Sequence, residues 1–177
     1  MDPIFLTFLE NSRAEALALA QQSDVLRVIP LPPLPPSRYL CEFRLPCLRW
    51  RAGGAVEAAP GPVMALLRFP EDYLRSCDPQ LYMKVASVVD PPDILHPNIA
   101  ATTVCLGAQF PAGAPIRLLL GQLYDILAFR NHTVDERNAL NPQACRLLRQ
   151  NPGLIRQLRP APLVRPKARL AIQVTAA

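Results

Sequence analysis

Lysine is almost missing from this chain. Of 19 basic residues only Lys84 and Lys167 are lysines, and the rest are arginines. Codon usage rich in Arg, Ala and Pro, as in a GC-rich bacterial genome, accounts for the bias. Acidic residues are missing from one end. None follows Glu136, whereas Arg137, Arg146, Arg149, Arg156, Arg159, Arg165, Lys167 and Arg169 all do. Such a stretch can meet an acidic protein surface or a nucleic acid. It also lacks aromatic residues, and without stacking platforms the single-stranded nucleic-acid reading weakens. No apolar run is long enough for a membrane span. The N-terminus has no basic leader segment, and Asp2 and Glu10 flank its apolar residues; a secretory signal is not expected. The five cysteines are odd in number and include no C-x-x-C pair, which argues against a disulfide framework and against zinc. A reducing, cytoplasmic compartment is therefore expected. No phosphate-binding loop and no cofactor motif occur.

What is present suits a globular domain. The chain has 177 residues, 50% of them hydrophobic and 19% charged, enough for one sizeable core. Two start signals precede an N-terminal helix that ends near Gln22: Asp2-Pro3 and the capping-box pattern Ser12-x-x-Glu15. Val25 to Leu31 is short and apolar and leads into a proline-rich connector, Pro30 to Pro36, that cannot be helical. Tyr39, Cys41, Phe43 and Leu45 alternate with polar residues, as in a half-buried strand. Pro46 should interrupt it with a bulge or edge before Leu48 and Trp50, and Gly53-Gly54 marks a turn. Val63–Phe69 and Leu81–Val89 read as two further strands, giving a three-stranded antiparallel meander. From Ile116, apolar residues at Leu119, Leu120, Leu123, Ile126 and Leu127 keep helical spacing. Arg130 to Ala139 is a polar loop. Asn141-Pro142 and Asn151-Pro152 each place a cap before a proline, opening two C-terminal helices. The tail from Arg159 has no clear period and is expected to be partly mobile.

The most chemically suggestive stretch runs from His96 to Leu106, His-Pro-Asn-Ile-Ala-Ala-Thr-Thr-Val-Cys-Leu. Pro97 disfavours helix at His96 and bends the chain, so Asn98 can fold back beside Cys105. A thiol nucleophile needs access and a donor for the oxyanion formed at an attacked acyl carbon, and a neutral amide donates at any pH. Alone the pattern is weak, because free cysteine is among the most buried residue types. His96 reads as structural, hydrogen-bonded to the turn: the other histidine, His132, stands at no ligand spacing from it.

This stretch resembles the active-site segment of ubiquitin-conjugating enzymes, which carry His-Pro-Asn, a short loop and a Cys-Leu pair. The resemblance extends from about Ser12 to Pro152. Phe69-Pro70-Glu71-Asp72-Tyr73 resembles the family's Phe-Pro-x-x-Tyr turn, the helix from Ile116 resembles the one after the active-site loop, and Leu140-Asn141-Pro142 resembles its Leu-x-Pro helix entry. The departures point to a divergent, bacterial member. Cys105 lies one position nearer His96 than is usual. Gly107 stands where an Asp is common, the loop from Leu106 to Pro115 is short and lacks a Trp, and Arg75 occupies the place of an apolar ligase contact.

The resemblance implies an α+β domain over residues 1–158: an N-terminal helix, an antiparallel meander, a central helix and C-terminal helices, with a basic, proline-containing tail at 159–177. It implies that a ubiquitin-like modifier protein arrives from an activating enzyme, is held as a thioester on Cys105, and passes to an amine or thiol of a protein target. Asn98 would steady the oxyanion or the loop. Asn138, by its place before Leu140, and Asp135, by proximity, would sit beside the incoming amine, where a carboxylate can orient it and accept its proton. No metal, nucleotide or other cofactor is expected, because the energy arrives stored in the thioester. Similar bacterial systems suggest a role in defence against phage. An enzyme carrying a thioester would also benefit from few self-acceptor lysines, although codon bias explains that scarcity without it. The alternatives are a non-catalytic scaffold of the same fold that binds a ubiquitin-like partner and, more weakly, a nucleic-acid adaptor.

Overall fold

The structure is a computed structural model and describes residues 2–75, 83–107 and 110–166. It is an α+β domain with an N-terminal helix, an antiparallel sheet and, among the described residues, four α-helices. Helix α1 (Pro3–Gln21) uses the first start signal: the Asp2 carboxylate accepts from the Ile4 N–H at 2.9 Å, and Pro3 takes the first turn. The capping-box expectation at Ser12 fails. Ser12 is mid-helix and buried, in a stripe with Phe5, Leu9, Ala16 and Leu19 that faces the sheet. A 3–4 spacing of small and apolar residues running through Ser12 extends the helix across it.

The main sheet has six strands rather than a three-stranded meander. Strands β1 (Leu26–Leu31), β2 (Arg38–Phe43), β5 (Val63–Arg68) and β6 (Ala86–Asp90) are followed by the short hairpin β7 (Ile99–Ala100) and β8 (Thr103–Val104), in the order β1-β2-β5-β6-β8-β7. Val25–Leu31 is thus mostly strand, not only a lead-in. It pairs with β2 from Leu26↔Phe43 to Leu31↔Arg38, and Pro30 fits there because β1 is an edge. The expected strand from Leu81 starts instead at Ala86, and Leu81 and Tyr82 lie outside the described residues.

The long strand expected through Pro46 is two strands in two sheets. β2 ends at Phe43, and β3 (Cys47–Trp50) pairs with β4 (Val56–Ala59) as a separate ribbon around a turn at Ala52–Gly54. Gly53 and Gly54 have φ of 78° and 81°, which the absence of a Cβ permits. The ribbon returns past Leu45 so closely that a Cβ on Gly61 would lie 2.4 Å from the Leu45 carbonyl oxygen.

Two apolar clusters result. The larger lies between the sheet and helices α1 and α2 (Ile116–Leu127), and the expected stripe of α2 is fully buried in it. An aromatic group of Phe8, Phe69 and Tyr73 ties α1 to the end of β5, with ring centroids 4.9–5.5 Å apart. The Tyr73 hydroxyl donates to the Ala114 carbonyl at 2.7 Å, just ahead of α2. The smaller cluster joins Leu48 of the ribbon to Leu95, Phe129, Ala144, Leu148 and Leu158, under α3 (Pro142–Gln150) and α4 (Gly153–Gln157). Asn141 caps α3 as expected, accepting from the Ala144 N–H at 3.0 Å. Asn151 does not cap α4. Its side-chain amide donates to the Leu147 carbonyl and closes α3 instead.

The first part of the tail is held down. Tyr124 donates to the Ala161 carbonyl, Leu163 packs on the larger cluster, the Arg165 N–H donates to the Gln22 carbonyl, and its guanidinium pairs with Asp24 at 2.7 Å. The rest of the tail, from Lys167, lies outside the described residues. No described helix is long and apolar enough to cross a membrane.

Candidate functional site

The two clusters meet at the segment from Asp93 to Leu106. The ribbon sets its start: the Trp50 N–H donates to the Asp93 carbonyl at 2.8 Å, the Leu95 N–H donates to Leu48 at 2.8 Å, and Arg49 pairs with Asp93 at 2.7 Å. His96 then enters the interior with no exposed surface. Its Nδ1 accepts from the Asn98 N–H at 3.0 Å, so its proton belongs on Nε2. Burial pushes its pKa down to about 3, helped by neighbouring His132. Nε2 makes no hydrogen bond, and the ring stacks obliquely on Phe129 at 4.3 Å. The ring therefore braces the turn, as the sequence led us to expect. Among the described residues no three His, Cys, Asp or Glu side chains are grouped to hold a metal ion.

The hairpin presents Cys105. Ile99 pairs with Val104 and Ala100 with Thr103, and the turn closes through Ala101 at φ 50°. Ile99 and Val104 are buried partners on one face. Successive side chains alternate across a strand, so the next pair outward, Asn98 and Cys105, faces the other way. That pair is joined by the backbone, the Cys105 N–H donating to the Asn98 carbonyl at 2.8 Å. Val104 and Leu106 are fixed in the core on either side, and Cys105 is half-buried between them. The Leu106 carbonyl accepts from the Gln122 side chain at 3.0 Å, which ties the end of the hairpin to α2. Gly107 follows at φ 99°, a backbone that a residue with a Cβ would strain. The other described cysteines, Cys41, Cys47 and Cys145, are buried. Desolvation pushes all three thiols up, Cys41 to about 12.

The Asn98 carboxamide works at both ends. Its Nδ2 donates to the Cys105 carbonyl at 3.4 Å, and its Oδ1 accepts from the Thr133 N–H at 3.1 Å. The loop after α2 is thereby brought to the hairpin. Thr133 Oγ1 accepts from the Asp135 N–H at 3.2 Å. The Asp135 carboxylate accepts from the Arg137 N–H at 3.0 Å and from Asn138 Nδ2 at 2.8 Å. Glu136 turns away and grips Arg146 and Arg149 of α3. Asn98 and Cys105 are thus in direct contact, as are Asp135 and Asn138. Thr133 links the two pairs, and no hydrogen bond among the described residues joins Asp135 or Asn138 to Cys105. Thr133 was not singled out from the sequence. Behind it lies a cavity of about 280 Å³ lined by Pro97, Val134, Cys145, Leu148 and Ile155. Cys145 points its thiol at the Thr133 carbonyl, 3.7 Å away.

Chemically, the arrangement offers a partly buried cysteine, an amide fixed next to its backbone, and a carboxylate on the adjoining loop. No family model, no curated protein and no solved structure matches this chain.

Proposed function

We propose that this chain is a divergent ubiquitin-conjugating-type transferase with a ubiquitin-conjugating-like fold. The observation that carries the reading is the Asn98–Cys105 pair on the outward face of the β7–β8 hairpin, backed by buried His96. In that pair the Asn98 amide is held against the backbone of Cys105, which supports the His-Pro-Asn and Cys-Leu resemblance. In the first step the Cys105 thiolate attacks the thioester carbonyl of a ubiquitin-like protein held by its activating enzyme. A new C–S bond forms, and the activating enzyme's thiolate leaves. In the second step an acceptor attacks the Cys105 thioester. The acceptor bond forms, the C–S bond breaks, and Cys105 leaves as thiolate. Asn98 fixes the register of the hairpin and carries a second N–H on Nδ2 for the oxyanion. Asp135 receives the acceptor's proton. The modifier, the activating enzyme and the target protein are the partners this chemistry requires, and bacterial defence against phage is a setting in which it fits.

A second reading, a non-catalytic scaffold that binds a ubiquitin-like partner, draws on the fact that both ends of the Asn98 carboxamide are already engaged. One experiment separates the two. The tagged chain is captured from its own cells under denaturing, non-reducing conditions and resolved with and without reductant. A transferase gives a larger species that reductant abolishes and that Cys105→Ala does not form. A scaffold gives no such species, and an adduct unchanged in Cys105→Ala excludes Cys105 as its site.

A further inference from the structure

The main sheet is open on one side: β1 is an edge, and among the described residues no strand lies beyond it. We propose that the tail of this same chain, Arg169 to Thr175, adds there as a seventh strand, parallel to β1, and covers the groove between β1 and the end of α1. This docking is independent of the chemistry of Cys105.

The backbone of β1 offers the ladder. The Arg44 N–H donates to the Val25 carbonyl at 2.8 Å, and backbone groups alternate in direction along a strand, so the odd-numbered residues of β1 face β2. Leu26, Val28 and Pro30 face outward, and Pro30, which has no N–H to give, stands where β2 needs none. The Leu26 N–H is taken by Ser23 Oγ at 3.0 Å. The Val28 N–H and the carbonyls of Leu26, Val28 and Pro30 are left for a new neighbour. Beside this edge lies a groove of about 450 Å³ lined by Leu17 and Ala20 of α1, by Leu26 and Val28 of β1, and by Asp24.

The tail is delivered to that groove. The Arg165 N–H donates to the Gln22 carbonyl at 2.9 Å, and its guanidinium pairs with Asp24, just ahead of β1. Pro160, Pro162 and Pro166 break any period over the tail as a whole, but no proline or glycine follows Pro166. There Leu170, Ile172 and Val174 alternate with Ala171, Gln173 and Thr175, the pattern of a strand with one apolar face, and Ile, Val and Thr favour strands. Pro166 to Arg169 span at most about 13 Å of extended chain, less than the roughly 17 Å from Leu26 to Leu31. The strand therefore starts beside Leu26 and runs parallel to β1. Side-by-side residues of a parallel pair share a face, so Leu170, Ile172 and Val174 join Leu26 and Val28 over the groove, and Gln173 and Thr175 lie on the face of Arg27. The same parity directs the bonds: the outward groups of β1 pair with the backbone of Ala171, Gln173 and Thr175, and the N–H groups of Leu170, Ile172 and Val174 point to solvent. A strand here also shields the β1 edge from pairing with other chains.

The test is residue-by-residue amide hydrogen exchange on the full chain by NMR, with the mass in solution measured at each concentration. The N–H groups of Ala171, Gln173 and Thr175 should exchange at least about tenfold more slowly than those of Leu170, Ile172 and Val174, whatever the protein concentration. The Val28 N–H should be slow as well. Ile172→Asp sets a carboxylate over the apolar groove and should return the tail and Val28 to fast exchange, while the amides of β5 stay slow and report an intact fold. Gln173→Asp, on the opposite face, should keep the alternation. Uniformly fast exchange from Leu170 to Thr175 in the wild-type chain would overturn the proposal. So would protection without alternation, as a helix gives, or alternation of the opposite parity. Protection that fades on dilution, as a dimer falls to monomer, would give the edge to the tail of a second copy and overturn docking within one chain.

Discussion

Asn98 restrains three segments at once: the His96 turn through its N–H, the Cys105 strand through its carbonyl and Nδ2, and the loop after α2 through Oδ1. Replacing it by alanine leaves the partly buried Thr133 N–H without its acceptor. An unsatisfied donor of this kind costs about 1–3 kcal/mol. Asn98→Ala should therefore lower stability in urea titrations by that amount and slow discharge of a preformed Cys105 thioester to lysine. Unchanged stability together with unchanged discharge would leave Asn98 with neither role. His96 makes a prediction in pH. Its folded pKa is depressed from 6.5 to about 3, so the unfolded chain binds the extra proton as pH falls below 6.5. The stability held by the neutral, buried ring is present above that value and is lost progressively towards about 3, by up to about 1.4 kcal/mol per pH unit. The lowered carboxylates Asp93 and Glu136 act only below their ordinary values of 3.8 and 4.5. The interval from 4.5 to 6.5 therefore reports on His96, and His96→Asn should flatten it. An equally steep limb in the variant would assign the slope elsewhere. The closeness of Asn98 to Cys105 was legible because Pro97 bends the chain after His96. Thr133 was not, because it holds Asn98 by a backbone N–H that any residue except proline possesses, across 35 positions of chain.

Among the elements, α2 carries the largest apolar stripe and was readable from its 3.6-residue period alone. Leu123 is fully buried between the sheet and α1, and Leu123→Ala should cost roughly 2–5 kcal/mol in denaturant unfolding. A loss well under 1 kcal/mol would mean that the helix does not form the floor of this core. The β3–β4 ribbon was not readable. Tyr39 to Trp50 alternates almost without a break, and Pro46 was expected to make a bulge or an edge before Leu48 and Trp50. Instead the chain leaves the main sheet there, pairs locally, and returns past Leu45 at a separation that only glycine allows. The competing pattern was decided by which partner each half takes, β5 for β2 and β4 for β3, and periodicity does not report partners. Gly61→Ala forces the Leu45 backbone to move, and overpacking of this kind costs about 1–3 kcal/mol. Wild-type stability in that variant would contradict the close approach described for the ribbon. The ribbon matters to the site because Leu48 and Trp50 hold the strand that delivers His96.

At the scale of the whole molecule, one core sits under the main sheet and a smaller one under α3 and α4, and Cys105 lies between Val104 and Leu106 of the larger. The helix order and the site segment could be anticipated from the chain. The second sheet and the docking of residues 161–165 on α1 and α2 could not, because neither leaves a local periodic signal. The proposed chemistry requires Cys105 to be the acyl carrier. The most direct measurement replaces it with an amine. The tagged Cys105→Lys chain, captured from its own cells and digested, should yield a branched peptide whose isopeptide bond maps to position 105 and resists reductant. The wild-type species at the same position should be cleaved by reductant. A branch at another residue, or a reducible adduct persisting on another cysteine when position 105 is lysine, would contradict it.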